Sequence, residues 1–202
     1  MEENIIGVVM AGGLSTRMGQ DKGLLIENGQ TWAENAFAKL NRLPMEVIVS
    51  INENQTLPYS DIFHPEHLIT DKNIIEGPLN GILSAHSHVP SKDLFLLACD
   101  VRDMSSELLC KIYDAHISNS SEDYDYYILK NDMQEEPLIG IYKSDFLKRI
   151  LFMAEKKLLV KNSLKYIMTF GRGFYIHLDE SEKNDVKNFN TPGDLMASFA
   201  IL

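Results

Sequence analysis

The sequence predicts an α/β fold in which helices cover both faces of a mostly parallel central sheet. Short apolar runs end at glycine or acidic residues, as strands buried on both faces do. Segments with helical spacing of apolar residues alternate with these runs, which is the order expected of βαβ units. Hydrophobic residues make up 45% of the 202 positions, enough for a full core. We expect a single domain over residues 1–202, although this length also allows two small ones.

The first half of the chain alternates between predicted strands and helices. A capping box at Thr31 and Glu34 opens a helix whose apolar positions repeat at Trp32, Ala36 and Leu40. The other elements expected here are strands at 5–10, 47–51, 67–70 and 94–98 and a helix at 79–89.

The second half continues the alternation. Ser105 or Ser106 is expected to cap one helix, and Ser144 another that runs to about residue 153. The irregular stretch 52–65, in the first half, is predicted to be a mobile surface loop. The remaining expected elements are strands at 124–129, 137–142 and 174–178, the first two paired across a solvated turn containing Glu135 and Glu136, and helices at 162–170 and from Thr191 onward.

Composition and charge exclude several classes of protein. A formal net charge of −10 argues against a nucleic-acid-binding surface, which needs clustered Lys and Arg. A small anionic ligand remains compatible, because a local group of cations, backbone N–H groups and a metal can bind phosphates. No apolar run approaches the roughly 18 residues of a membrane span. The acidic start is unlike a secretory signal and the two cysteines give no disulfide framework, so we expect a cytoplasmic protein that binds neither nucleic acid nor membrane.

The segment 11–22, Ala-Gly-Gly-Leu-Ser-Thr-Arg-Met-Gly-Gln-Asp-Lys, carries the strongest functional signal. Gly12 and Gly13 follow a strand and let backbone N–H groups approach a polyphosphate without obstruction by a Cβ atom. Arg17 offers planar, bidentate donors and Lys22 a point charge, which together neutralise charge building on a departing pyrophosphate. Neither a Walker A loop nor a dinucleotide fingerprint fits the spacing. The alternative is a surface turn with unrelated charges.

Carboxylates at two other strand ends extend this signal. Asp100 closes a buried run and is placed to hold Mg²⁺, which prefers few carboxylates plus water and substrate phosphates; otherwise it caps the next helix. Asp71 can accept hydrogen bonds from a base or ribose, and Gly77 and Gly81 after it allow close approach to backbone; the alternative is a turn before a helix. Because ligands bind outside the carboxyl ends of parallel strands, we expect Asn52, Asp71 and Asp100 to lie beside the glycine-rich segment.

Two further groups of polar residues are weaker candidates. Asn188 and Asn190 would present two amides at the mouth of the site, although helix capping by Thr191 explains this segment as well. The histidines form two pairs, at positions 64 and 67 and at positions 86 and 88. No Cys or second His pair has matching spacing for a metal site, so we expect these histidines to be solvated or packed rather than metal ligands.

Taken in order along the chain, these motifs resemble the molybdenum cofactor guanylyltransferase (MobA) family of nucleotidyltransferases. The motifs are residues 11–22, Asp71 with Gly-Pro-Leu-x-Gly at 77–81, Cys-Asp at 99–100, Pro-Leu-x-x-x-Tyr at 137–142 and Asn-x-Asn-Thr-Pro at 188–192. The resemblance implies a Rossmann-like three-layer fold with a mostly parallel sheet, of the nucleotide-diphospho-sugar transferase type.

The resemblance also implies an activity. GTP and molybdopterin, with or without molybdenum, would be the substrates, and Mg²⁺ the cofactor. The terminal phosphate of molybdopterin would attack the α-phosphorus, pyrophosphate would leave, and molybdopterin guanine dinucleotide would form. Proteins of molybdenum cofactor biosynthesis and molybdoenzyme maturation are implied as partners. The implied contacts are the backbone of Met10, Ala11 and Gly12 at the nucleotide, Lys22 by the phosphates, Asn52 and Asp71 at the nucleoside, and Asp100 on the metal.

One departure from the family pattern lies beside the expected metal site. Where the family has a hydrophobic residue or Thr and then Pro after Cys-Asp, this chain has Val101 and Arg102. We expect the loss of Pro to free this loop and Arg102 to touch an acceptor phosphate or to pair with Asp103. Two alternatives stay open: another nucleotidyltransferase of the same fold, with cytidylyl transfer to molybdopterin or transfer to a sugar or alcohol phosphate, and a non-catalytic nucleotide-binding protein.

Overall fold

The computed structural model describes residues 4–12, 21–131 and 134–187. The strands are β1 (Ile5–Met10), β2 (Ile26–Glu27), β3 (Gln30–Thr31), β4 (Glu46–Ile51), β5 (Leu68–Thr70), β6 (Asp93–Ala98), β7 (Tyr126–Lys130), β8 (Glu135–Tyr142) and β9 (Gly173–His177). The α-helices are α1 (Trp32–Leu40), α2 (Thr56–Ser60), α3 (Pro78–His88), α4 (Ser106–Ser118), α5 (Ser144–Glu155) and α6 (Leu164–Met168). Short 3-10 helices cover Lys22–Leu24, Glu53–Gln55, Pro65–His67 and Glu182–Asn184.

The central sheet is mostly parallel, as the alternation of elements predicts. Its strand order is β5-β4-β1-β6-β8-β7-β9. Strand β1 lies between β4 and β6 and pairs in parallel with both: Val8 is opposite Ile48 of β4 on one side and Leu96 of β6 on the other. Within this sheet only β8 runs against the other strands, pairing antiparallel with β6 and β7. The carboxyl ends of β5, β4, β1 and β6 therefore meet along one edge.

Two apolar clusters fill the spaces on the two faces of the sheet, which gives the three-layer arrangement. One contains Ala36 of α1 and Leu109 of α4, and the other Leu83 of α3, Ile150 of α5 and Ile167 of α6. Residues of β1 alternate between the clusters, as the period of two in a strand requires. The capping box that opens α1 is present: the Thr31 side chain accepts from the Glu34 amide, and the Glu34 carboxylate accepts from the Thr31 amide.

The prediction of an irregular loop over 52–65 is wrong. A 3-10 helix, Glu53–Gln55, leads into α2, and this unit is buried through Gln55, Tyr59 and Phe63. The apolar spacing did not reveal it because α2 is only five residues long and the buried surface is aromatic and polar.

Two expectations in the second half are also corrected. Glu136 is not in a solvated turn: it lies in β8 and is only 7% exposed, and burial raises the pKa of its carboxyl. Ser144 does not cap α5 but is its first residue, and its amide donates to the Asp93 carboxylate at 2.8 Å. The expected helix over 162–170 is confirmed only for the shorter α6, which Ser163 caps. The helix expected from Thr191 lies outside the described residues.

Candidate active site

The strand-end residues predicted to converge do so at the carboxyl edge of the sheet. A Cβ atom at Gly12, after β1, would lie 3.3 Å from Asp71 Oδ2 and 3.5 Å from the Asn52 amide nitrogen. These neighbours follow β5 and β4, the next strands along the sheet. A side chain at position 12 would therefore crowd the Asp71 carboxylate, whereas its contact with the Asn52 amide would be an ordinary one.

Lys22 and Asp100 form an ion pair at the same edge. Lys22 Nζ lies 3.0 Å from Asp100 Oδ2, and the two side chains are 15% and 19% exposed. They are 78 positions apart and belong to the segment after β1 and the turn after β6. Partial burial strengthens the interaction over that of a fully solvated pair, yet both groups remain within reach of a ligand. The pair therefore brings together a cation and a carboxylate of the kind that can bind a metal.

Asp71 lies in a partly buried polar pocket. Burial raises the pKa of its carboxyl, and hydrogen bonds from Ser50 and Asn80 to the carboxylate oppose part of that rise. Ser50 Oγ donates to Asp71 Oδ1 at 3.0 Å. Asn80 in turn accepts from the amides of Ile74 and Ile75, so it also holds the loop that follows Asp71. The carboxylate is therefore fixed in place, with Oδ2 directed towards Gly12.

The first two backbone N–H groups of the glycine-rich segment are already used inside the protein. The amides of Ala11 and Gly12 both donate to the Ser50 carbonyl, at 3.0 and 2.8 Å. The Met10 carbonyl accepts from the Cys99 amide. The Gly12 amide, which the sequence was expected to offer to a polyphosphate, is therefore already paired within the protein.

Gly77 and Gly81 lie at the start of α3, and the structure favours glycine at these two positions for different reasons. Gly77 has a φ of +86°, a conformation that favours glycine, and precedes Pro78 at the first position of the helix. A Cβ atom at Gly81 would lie 2.8 Å from the Met10 terminal methyl and 3.0 Å from Ser50 Oγ. Gly81 is therefore explained by close packing beneath Asp71, and its role at a nucleotide stays a prediction.

Two residues that the sequence did not indicate, Gln55 and Tyr59, connect the two ends of the site. Gln55 and Tyr59 both donate to the Asp21 carboxylate, at 2.5 and 3.2 Å. Their importance had no sequence signal beyond the position of Asp21 next to Lys22, because they belong to the segment expected to be a loop.

Arg102 is buried and paired with two carboxylates. Its side chain is 8% exposed, and Nη2 lies 2.8 Å from Glu27 Oε1 and 3.8 Å from Asp103 Oδ1, so the expected pair with Asp103 is present but Glu27 is the nearer partner. The guanidinium also lies over the Trp32 ring, 5.6 Å from its centroid. The loop is held rather than freed, since Val101 beside it is 2% exposed and the Arg102 carbonyl accepts from a lysine of α1.

The donor set at Asp100 fits a magnesium ion that is held mainly by a nucleotide. One carboxylate, partly exposed at a strand end, matches an ion that keeps waters and substrate phosphates as its other ligands. Within residues 4–12, 21–131 and 134–187, no group of three or more His, Cys, Asp or Glu could hold a metal on its own. The predicted contributions of Gly13, Arg17, Asn188 and Asn190 lie outside the described residues.

Comparisons with known proteins show the family to which the chain belongs. The family model of the MobA-like NTP transferase domain matches residues 7–165. A protein of Flavobacterium johnsoniae named as a probable molybdenum cofactor guanylyltransferase is 28% identical over 197 residues, which are 96% of this chain and 95% of that protein. The molybdenum cofactor guanylyltransferase of Shewanella piezotolerans is 28% identical over 198 residues, 95% of this chain and 90% of that protein.

The fold also matches a solved structure. The crystal structure of molybdopterin-guanine dinucleotide biosynthesis protein A from Archaeoglobus fulgidus has a TM-score of 0.75 to this chain at 20% identity, and the match covers 98% of this chain and 97% of that one.

Among the described helices, none has the length and apolar character needed to cross a membrane.

Proposed function

Because the chain belongs to the family of MobA-like NTP transferase domains, we propose that it transfers GMP from GTP to the terminal phosphate of molybdopterin, with or without bound molybdenum. An oxygen of the acceptor phosphate attacks the α-phosphorus of GTP. The bond from the α-phosphorus to the oxygen bridging it to the β-phosphorus breaks, and pyrophosphate leaves with that oxygen. A new phosphoanhydride bond joins the two substrates as molybdopterin guanine dinucleotide. The acceptor is already anionic, so the reaction needs alignment and charge stabilisation rather than a general base.

The observation that carries the proposal is the Lys22–Asp100 ion pair, which lies at the same carboxyl edge of the sheet as Asp71. Lys22 would exchange its carboxylate partner for phosphate oxygens, whose charge it would neutralise as pyrophosphate departs. Asp100, released from Lys22, would hold Mg²⁺ together with water and the nucleotide phosphates. When bound, that ion neutralises phosphate charge.

The nucleoside is proposed to lie over Gly12, between Asn52 and Asp71. A carboxylate at Asp71 suits two adjacent donors, which a guanine edge or a pair of ribose hydroxyls supplies. The Asn52 side-chain oxygen accepts from the Asn54 amide at 3.0 Å, so its NH₂ group is the part that would meet the nucleoside. We propose that Gly77 and Gly81 keep this end of the site open, and that Gly13, Arg17, Asn188 and Asn190 complete it.

We also propose a cytoplasmic setting for the reaction, in line with its two free thiols, Cys99 and Cys110. The acceptor would come from, and the product go to, other proteins of molybdenum cofactor biosynthesis and molybdoenzyme maturation.

A nucleotide panel tests the proposed function. Pyrophosphate release is measured with GTP, CTP, ATP and UTP, each with Mg²⁺, in the presence and absence of molybdopterin. We expect release with GTP that depends on molybdopterin and on Mg²⁺. Asp100→Asn should abolish most of it, whereas Asp103→Asn, a matched change at a 51% exposed carboxylate in the same loop, should leave it unchanged.

Two outcomes would overturn the proposal. Preferential release with CTP would assign a cytidylyl transferase. Binding of GTP without any pyrophosphate release, given authentic acceptor, would assign a nucleotide-binding protein without transferase activity.

A further inference from the structure

A buried hydrogen-bond network connects the phosphate end of the site to the nucleoside end. It is centred on Gln55, which is 6% exposed and follows the nucleoside candidate Asn52 by three positions. Its side-chain oxygen accepts from the Asn52 amide at 2.8 Å. Its side-chain nitrogen donates to the Ala11 carbonyl at 3.1 Å and to Asp21 Oδ2 at 2.5 Å. One carboxamide thus joins three segments that each carry a site residue.

Asp21 is the second centre of the network. Besides Gln55, its carboxylate accepts from the Gly23 amide at 2.9 Å and from the Tyr59 hydroxyl at 3.2 Å. Tyr59 is fully buried in the core, and a Cβ atom at Gly23 would overlap its hydroxyl oxygen. Asp21 is therefore held from both sides, and Lys22 is its neighbour in the chain.

We propose that Gln55 and Tyr59 are positioning residues that fix Asp21, so that Lys22 and Asn52 are held at a constant separation for one nucleoside triphosphate. This inference rests on the proposed function. Neither residue needs to touch the nucleotide. Their effect is transmitted through a carboxylate whose hydrogen bonds come from two buried side chains and a backbone amide.

The orientation of the Gln55 amide makes the proposal testable by charge. Both donor hydrogens of its nitrogen are used, towards Ala11 and Asp21, while its oxygen must accept from Asn52. In Gln55→Glu, a protonated carboxyl can still donate to Asp21 and accept from Asn52. Once ionised, it would place a carboxylate oxygen against the Asp21 carboxylate and the Ala11 carbonyl.

The other titratable groups around this point are Tyr59, Cys99, Lys22 and Asp100. Burial raises the pKa of Tyr59 far above the neutral range, so its hydroxyl remains a donor throughout the experiment.

The experiment measures the Kd for Mg²⁺·GTP of the full chain between pH 6 and pH 8.5, together with the urea unfolding midpoint. We expect the Kd of Gln55→Glu to rise at least tenfold across this range beyond any change in the unaltered protein. At pH 8.5, where the introduced carboxyl is ionised, the Kd of Gln55→Glu should exceed that of the unaltered protein at least tenfold. Adding Asp21→Asn to Gln55→Glu should remove most of that increase, because the facing carboxylate is gone. Tyr59→Phe, a milder change, should raise the Kd several-fold with a smaller effect on kcat.

Failure of this inference is distinguishable from failure of the proposed function. If the unaltered protein binds and turns over GTP, and the folded Gln55→Glu and Tyr59→Phe variants bind Mg²⁺·GTP with its affinity at every pH, the two residues only stabilise the fold. If the unaltered protein itself binds no GTP, the proposed function is refuted instead.

Discussion

Three variants, Asp100→Asn, Lys22→Met and the double variant, distinguish what the ion pair contributes to stability from what its two residues contribute to activity. At the observed 3.0 Å, two unit charges interact with about 5 to 6 kcal/mol at an effective dielectric constant near 20. Desolvation cancels part of this, since the side chains keep only 15% and 19% exposure. Surface pairs contribute about 0–1 kcal/mol and broken buried pairs cost about 3–5, so each single change should lower the free energy of unfolding by about 2 kcal/mol.

The double variant should lose little more than either single variant, because the second change removes a charge already left without its partner. Activity should fall by much more than stability accounts for. Loss of one group that stabilises developing charge typically costs about 10²–10³ in rate, and we expect that loss in kcat/KM for each single variant.

Urea unfolding of the four proteins and molybdopterin-dependent pyrophosphate release at saturating Mg²⁺ measure the two effects. Asp103→Asn serves as the control. The reasoning is refuted if Asp100→Asn retains kcat/KM within threefold of the unaltered protein, or if the stability changes of the two single variants simply add.

Three other changes test the surroundings of this pair. Ser50→Ala removes a donor to the ionised form of Asp71, whose pKa burial already raises, so the acid limit of GTP binding should move to higher pH. Urea unfolding should show the full stability difference from the unaltered protein at neutral pH and little difference once the pH falls below the raised pKa of Asp71. Gly81→Ala brings a methyl group 3.0 Å from Ser50 Oγ and 3.4 Å from Asp71 Oδ1. It should cost about 1 kcal/mol of stability and weaken GTP binding in a titration; unchanged stability would contradict the packing explanation. Thr31→Ala breaks the capping box with Glu34 and should cost about 1 kcal/mol in chemical unfolding while kcat/KM stays the same.

Much of the site was predictable because strand ends are visible in the sequence. Apolar runs such as Ile5–Met10 mark buried strands, and parallel strands bring the residues after them to one edge. That geometry alone predicts that Asp71 and Asp100 lie at the same edge as Gly12. That Asp100 lies beside the glycine-rich segment was also predictable, since β1 is next to β6 in the sheet, but its direct ion pair with Lys22 was not predicted.

What the sequence did not reveal depends on contacts between distant segments. Arg102 pairs with Glu27, which the small β2–β3 hairpin presents, and nothing in the local sequence around Arg102 indicates that partner. Gln55 and Tyr59 were missed because a single short helical turn has no apolar period to detect. The use of the Ala11 and Gly12 amides by Ser50 likewise becomes visible only when β1 and β4 are paired.

A structure of the chain with Mg²⁺·GTP tests the central claim most directly. We predict that Lys22 and Asp100 separate, Lys22 meeting phosphate oxygens and Asp100 the metal, with the guanosine over Gly12 beside Asp71. A nucleotide bound elsewhere, with the 3.0 Å contact between Lys22 and Asp100 intact, would contradict the account.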